Sequence, residues 1–123
     1  MAAERILVVD DDDTIRQVVR LCLADEGYDV FEAPNGLVAL QLLAACRPSL
    51  ILLDLRMPVM DGWEFARRFR DQFHASTPII VVTAAESAAQ RCREISADAW
   101  LAKPFDLDAL RELVRKLLPH AEA

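Results

Sequence analysis

Glycine is scarce in this chain, with three residues in 123, at positions 27, 36 and 62. None falls in the turn after the first apolar run, where a flavin- or dinucleotide-binding module keeps its glycine-rich phosphate cradle. Cysteine is also scarce, and odd in number. Cys22, Cys46 and Cys92 lack metal-ligand spacing, so they read as small buried hydrophobes in a reducing compartment rather than as disulfide partners. No apolar run approaches the roughly 20 residues of a membrane helix. The start, Met-Ala-Ala-Glu-Arg followed by four apolar residues, does not read as a signal peptide, and the expected location is cytoplasmic. Cations are in the minority: 14 Lys and Arg against 20 Asp and Glu give a net charge of −6, which disfavours direct binding to nucleic acid. Repeats, linkers and low-complexity segments are absent. What remains is a chain 54% hydrophobic and 28% charged, enough to build one core. Residues 1–123 are therefore expected to be a single domain, its core at about 5–118, with no second domain in this chain.

Short apolar runs alternate with helical patterns five times. Ile6 to Val9 precedes Ile15, Val18, Val19 and Cys22, spaced as one helical face. Tyr28 to Glu32 reads as a strand, followed by Ala39, Leu42, Leu43 and Cys46 on a second helix. Leu50 to Leu53 precedes a helix with Phe65, Ala66, Phe69 and Phe73 on one side. Ile79 to Val82 precedes a weaker helix over Glu86 to Ile95, mostly alanine inward with Cys92 and Ile95 as its larger anchors. Ala99 to Ala102 precedes a last helix carrying Leu107, Leu110, Val114 and Leu117. This alternation predicts an α/β fold, a doubly wound parallel sheet with five helices on its two faces. The first, third and fourth runs are continuously apolar, as strands covered on both faces must be. The second, with Asp29 and Glu32, and the short fifth suit the edges. Right-handed crossovers then favour the flavodoxin-like order 2-1-3-4-5.

The strands end in polar residues: Asp10-Asp11 after the first, Asp54 on the third, Thr83 on the fourth and Lys103 on the fifth. In a parallel sheet these ends share one rim, where open α/β sheets bind ligands. Carboxylates about 4 Å apart repel by ~1 kcal/mol in water and ~4 kcal/mol at an effective dielectric of 20, so the cluster needs a cation. An all-oxygen donor set suits Mg²⁺, or Mn²⁺, rather than zinc. Asp54, behind four apolar residues, is a poor place for an idle charge. Asp12 and Asp13 read as turn residues, one of them capping the first helix.

The segments Ile6 to Asp12, Leu52 to Gly62 (with Asp54, Met57-Pro58 and Asp61), Val81 to Ala84 and Lys103-Pro104-Phe105 resemble the response-regulator receiver domain of two-component signalling, in order and across nearly the whole chain. The resemblance implies a phosphorylation-controlled switch, not a metabolic enzyme, that catalyses only its own phosphoryl transfer and hydrolysis. It implies that Asp54 accepts a phosphoryl group from a phosphohistidine on a sensor histidine kinase or a histidine phosphotransfer protein. Asp11, Asp54 and the backbone carbonyl of Arg56 would hold Mg²⁺, with Asp10 helping directly or through water. Lys103 would pair with the phosphoryl group, and the Thr83 hydroxyl would donate to it and draw its loop inward. Trp100 stands where the family often has an aromatic switch residue, and the Lys103-Pro104 bond is expected to be cis. The surface of the fourth helix, fifth strand and fifth helix would meet an unknown downstream protein or a second copy of the chain. One departure is Ser96-Ala97-Asp98, where receivers commonly carry Gly-Ala-Asp.

Two other functions share parts of this pattern. A phosphohydrolase of the haloacid-dehalogenase kind also uses an aspartyl nucleophile, but it wants a second Asp two positions later, where this chain has Arg56. A receiver-shaped scaffold that is never phosphorylated would have no use for the full acceptor, acid, Thr and Lys set. Arg67, Arg68 and Arg70 read as a solvated helix face, His74 and His120 as loop and tail residues, and Met57, Met60 and Trp63 as loop packing.

Overall fold

The computed structural model describes residues 3–73 and 76–118. His74 and His120 and the tail from Pro119 lie outside the described residues. In chain order the elements are β1 (Arg5–Val9), α1 (Asp13–Asp25), β2 (Asp29–Ala33), α2 (Gly36–Cys46), β3 (Leu50–Asp54), α3 (Gly62–Phe73), β4 (Ile79–Ala84), a 3₁₀ turn (Ala85–Ser87), α4 (Ala88–Ile95), β5 (Ala99–Lys103) and α5 (Leu107–Leu117). All the strand pairs are parallel and the order is β2-β1-β3-β4-β5.

The period-2 alternation of the central strands sorts their side chains onto two faces. Leu7, Val9, Ile51, Leu53, Ile79 and Val81 meet Ala39, Leu43, Phe65, Phe69 and Ile95 on one side. Ile6, Val8, Leu50, Leu52, Ile80 and Val82 meet Val19, Leu23, Leu110 and Val114 on the other. None of the helices is long and apolar enough to cross a membrane, among the described residues.

Boundaries moved where the apolar signal was thin. Tyr28 is buried ahead of β2, which runs on to Ala33. Phe73 closes a ring stack with Phe69 yet is exposed, because α3 ends there and the face it continues has left the core. Glu86 belongs to the 3₁₀ turn, and Cys92 is only half-buried, so α4 is anchored by Ala88 and Ile95. Asp12, not Asp13, caps α1, accepting from the amides of Thr14 and Ile15.

Ser96 closes α4 in the left-handed region, at φ 59°. A side chain with a Cβ costs roughly 1–2 kcal/mol there, which explains why glycine suits this position. Ser96→Gly is expected to stabilise the protein by about 0.5–1 kcal/mol after the added freedom of the unfolded chain is deducted. A thermal melt at or below the parent midpoint would contradict this.

Candidate functional site

Parallel pairing puts the C-terminal ends of β1, β3, β4 and β5 on one rim. There the chain lines an open cleft with Asp11, Asp12, Asp54, Arg56, Thr83, Ala84 and Lys103. Asp10 and Asp54 are buried at 4% and 5% exposure, and Thr83 at 6%, whereas Asp11 is exposed. One carboxylate oxygen from each of Asp10, Asp11 and Asp54 lies within 4.8 Å of the others, the spacing of a metal-ligand set. The Lys103 ammonium is 3.3 Å from Asp10 Oδ2 and 3.5 Å from Asp54 Oδ2. Three acids from two distant segments therefore do cluster, and two of them, Asp10 and Asp54, meet one ammonium.

Local backbone aims each group. Asp10 donates its amide to the Ala33 carbonyl, and its Oδ1 accepts from the Asp12 amide. Asp54 Oδ1 accepts from the Arg56 amide at 3.4 Å. The loop beyond Asp54 folds back so closely that a Cβ on Gly62 would stand 2.7 Å from the Asp54 carbonyl oxygen. Glycine is required there for α3 to start against the end of β3. The Lys103-Pro104 peptide is cis. Trp100 is 44% exposed on the edge strand β5, pointing away from the core.

Burial, then the neighbouring Asp10 carboxylate, pushes the Asp54 carboxyl up to about 6, while Lys103 and the Arg56 amide pull it back only in part. For Lys103, burial works against the charged form, but Asp54 and Asp10 outweigh it and hold the ammonium above its ordinary range. The cluster thus has one cation of its own against three acids. The donor set is hard oxygen, with one member facing solvent, which fits a divalent cation such as Mg²⁺.

The sequence pattern does not single out Arg16, yet its guanidinium is only 14% exposed and donates to the Asp10 main-chain carbonyl at 2.7 Å. The signal available was weak: a basic residue three after Asp13, flanking an apolar face.

Comparison with known proteins places this geometry. The sequence model of the response regulator receiver domain matches residues 6–115. The chain is 40% identical over 121 residues to sporulation initiation phosphotransferase F of Bacillus subtilis (strain 168), covering 97% of each. It is also 40% identical to the response regulator MprA of Mycobacterium avium (strain 104), but spans only 54% of that protein's length. Among solved structures it superposes on the chemotaxis protein CheY4 of Vibrio cholerae with a TM-score of 0.86 at 36% identity, covering 95% of this chain and 100% of that one. The receiver domain of the sensor histidine kinase PA1611 from Pseudomonas aeruginosa PAO1, solved with a magnesium ion coordinated in its active-site cleft, gives a TM-score of 0.85 at 30% identity over 96% of this chain and 99% of that one. These matches do not favour a phosphohydrolase or a bare scaffold. With its sheet order, its rim of acids and its facing lysine, this chain belongs to the response regulator receiver domain family.

Proposed function

We propose that this receiver domain is switched by phosphorylation of Asp54, supplied by the phosphohistidine of a sensor histidine kinase or of a histidine phosphotransfer protein. The observation that carries this reading is the clustering of the Asp10, Asp11 and Asp54 carboxylates in one cleft open to solvent, with the Lys103 ammonium against Asp10 and Asp54. In the transfer, a P–O bond forms at an Asp54 carboxylate oxygen while the donor's P–N bond breaks, and the imidazole leaves with the electron pair. Asp11, Asp54 and the Arg56 carbonyl would hold Mg²⁺, with Asp10 in support. When bound, the ion supplies positive charge that offsets the charge on the transferred phosphoryl oxygens. Lys103, already 3.5 Å from Asp54, exchanges that contact for a phosphoryl oxygen. Thr83 donates its hydroxyl from the next strand end.

The readout follows from weak packing beside the site. The 3₁₀ turn begins two residues after Thr83 and leads into α4 at Ala88, and α4 buries only Ala88 and Ile95 and lacks a side-chain cap at Ser87. Few buried contacts make this the element most easily displaced. Inward movement of Thr83 shifts it together with Trp100, remaking the α4, β5 and α5 surface for a downstream protein or a second copy of the chain. Such a domain is a switch and catalyses only its own phosphorylation and dephosphorylation.

Acetyl phosphate with millimolar Mg²⁺ is expected to add the mass of one phosphoryl group, and EDTA to prevent it. Intact-protein mass spectrometry that finds no adduct with Mg²⁺ present rejects the reading.

A further inference from the structure

The four consecutive acids after β1 divide their work in a way that points to a residue outside the cleft. Asp10 turns inward, its two carboxylate oxygens taken by the Asp12 amide and by Lys103. Asp12 caps α1. Asp13 pairs with Arg16 at 2.6 Å. Asp11 is left exposed to face the cleft. The direction in which Asp11 projects is set by the peptide plane between Asp10 and Asp11, and among the described residues that plane has one side-chain restraint: Arg16 Nη1, 2.7 Å from the Asp10 carbonyl oxygen.

Arg16 is itself held from three directions. Nη1 is committed to the Asp10 carbonyl, Nη2 to Asp13 Oδ1, and Nε to Glu32 Oε1 at 3.1 Å. Glu32 sits on β2 opposite Val8 of β1 and is braced by Arg20, whose Nε lies 2.7 Å from its other oxygen. The guanidinium fork therefore ties the β1–α1 turn to the neighbouring strand and to α1 at once, which a single ammonium cannot do.

We infer that Arg16 is a positioning residue for the metal site: by holding the Asp10 carbonyl it fixes the Asp10–Asp11 peptide, so that the Asp11 carboxylate converges on Asp54. Partners of this kind outside the ligand set commonly change metal affinity 10- to 100-fold when removed. The inference rests on the reading of the acidic cluster as a Mg²⁺ site.

The sign of the effect separates positioning from plain electrostatics. Removing a cation beside three carboxylates makes the site more negative, and charge alone would then tighten Mg²⁺ binding. Loss of positioning weakens it. Arg16→Met is therefore expected to raise the Mg²⁺ dissociation constant about tenfold. Arg16→Lys, which keeps the charge and loses the fork, is expected to raise it as well, though less. The full chain would be melted in EDTA and then across a MgCl₂ series, and the dissociation constant read from the rise in midpoint with free Mg²⁺. An Arg16→Met protein that binds Mg²⁺ as tightly as the parent, or more tightly, overturns the inference even if its metal-free midpoint has dropped, because that pattern is a merely structural role. Should Arg16→Met not fold, Arg16→Lys decides: parental affinity overturns the inference and weakened affinity supports it. A parent protein whose midpoint does not respond to Mg²⁺ instead rejects the metal reading itself, so the two failures are distinct.

Discussion

Asp54→Asn is expected to abolish phosphoryl incorporation from acetyl phosphate while leaving the fold intact. The amide is close in shape to the carboxylate, so the packing of a residue at 5% exposure is kept. It has no anionic oxygen to attack phosphorus, and the acyl phosphate cannot form. Neighbouring acids do not substitute for it. Asp10 has both oxygens engaged, by the Asp12 amide and by Lys103, at 4% exposure. Asp11 is open to solvent, and the Lys103 ammonium pairs with Asp10 and Asp54 instead. Intact mass after incubation with Mg²⁺ and acetyl phosphate should therefore show the adduct on the parent and none on the variant. An undiminished adduct on Asp54→Asn would remove Asp54 from the role of acceptor.

What could be read from the sequence divides along the strength of the local physical signal. The uninterrupted apolar runs of β1, β3 and β4 can be satisfied only between two helical layers, and that single fact fixes them as interior strands and leaves β2 and β5 for the edges. From there the rim follows, because parallel strands all end on the same side. Asp10, Asp54, Thr83 and Lys103 were legible as one site on topology, not on proximity in the chain. The start of α4 was not legible. Alanine gives no periodic contrast, and the 3₁₀ turn at Ala85–Ser87 passes for a first helical turn. The choice of cap between Asp12 and Asp13 depends on which amides point back, which is a matter of a single backbone angle. Arg16 escaped for a different reason. Of its three partners only Asp13, three residues earlier, shows in a pattern of side-chain types; the other two are a main-chain carbonyl and a carboxylate on β2, and neither leaves a mark there.

The crowding at the rim also sets how stability responds to pH, with a sign opposite to that of most paired carboxylates. Asp54 sits at about 6 in the folded protein against 3.8 for an unperturbed aspartate. Between those two values the folded chain binds more protons than the unfolded chain, so stability falls as pH rises through that window. The separation is about 2 pH units, which makes the ionised, metal-free Asp54 destabilising by about 3 kcal/mol once the pH is above both values. Of this, about 1 kcal/mol falls between pH 5 and pH 7. Three other shifted groups, Lys103, Glu64 and Glu94, could mask the effect, and none does in that interval. The Lys103 ammonium is held above its ordinary range, so its contribution is fully present at both pH values and is lost only in alkali. Glu64 and Glu94 are lowered by partners on the surface, and what they contribute is lost only as the pH falls below the ordinary carboxylate range. In EDTA, the urea midpoint of the parent should therefore be higher at pH 5 than at pH 7. Asp54→Asn should be more stable than the parent at pH 7 by about 1–3 kcal/mol, the lower end allowing for the Lys103 contact that is given up. The variant should also lose most of the pH 5 to pH 7 difference. Saturating Mg²⁺ should flatten the parent's profile too, since a cation bound to the ionised cluster favours the form that pH 7 already provides. If parent and variant keep the same slope in EDTA, the proton is being taken up elsewhere, and the strained carboxylate at the end of β3 is not where this protein stores its repulsion.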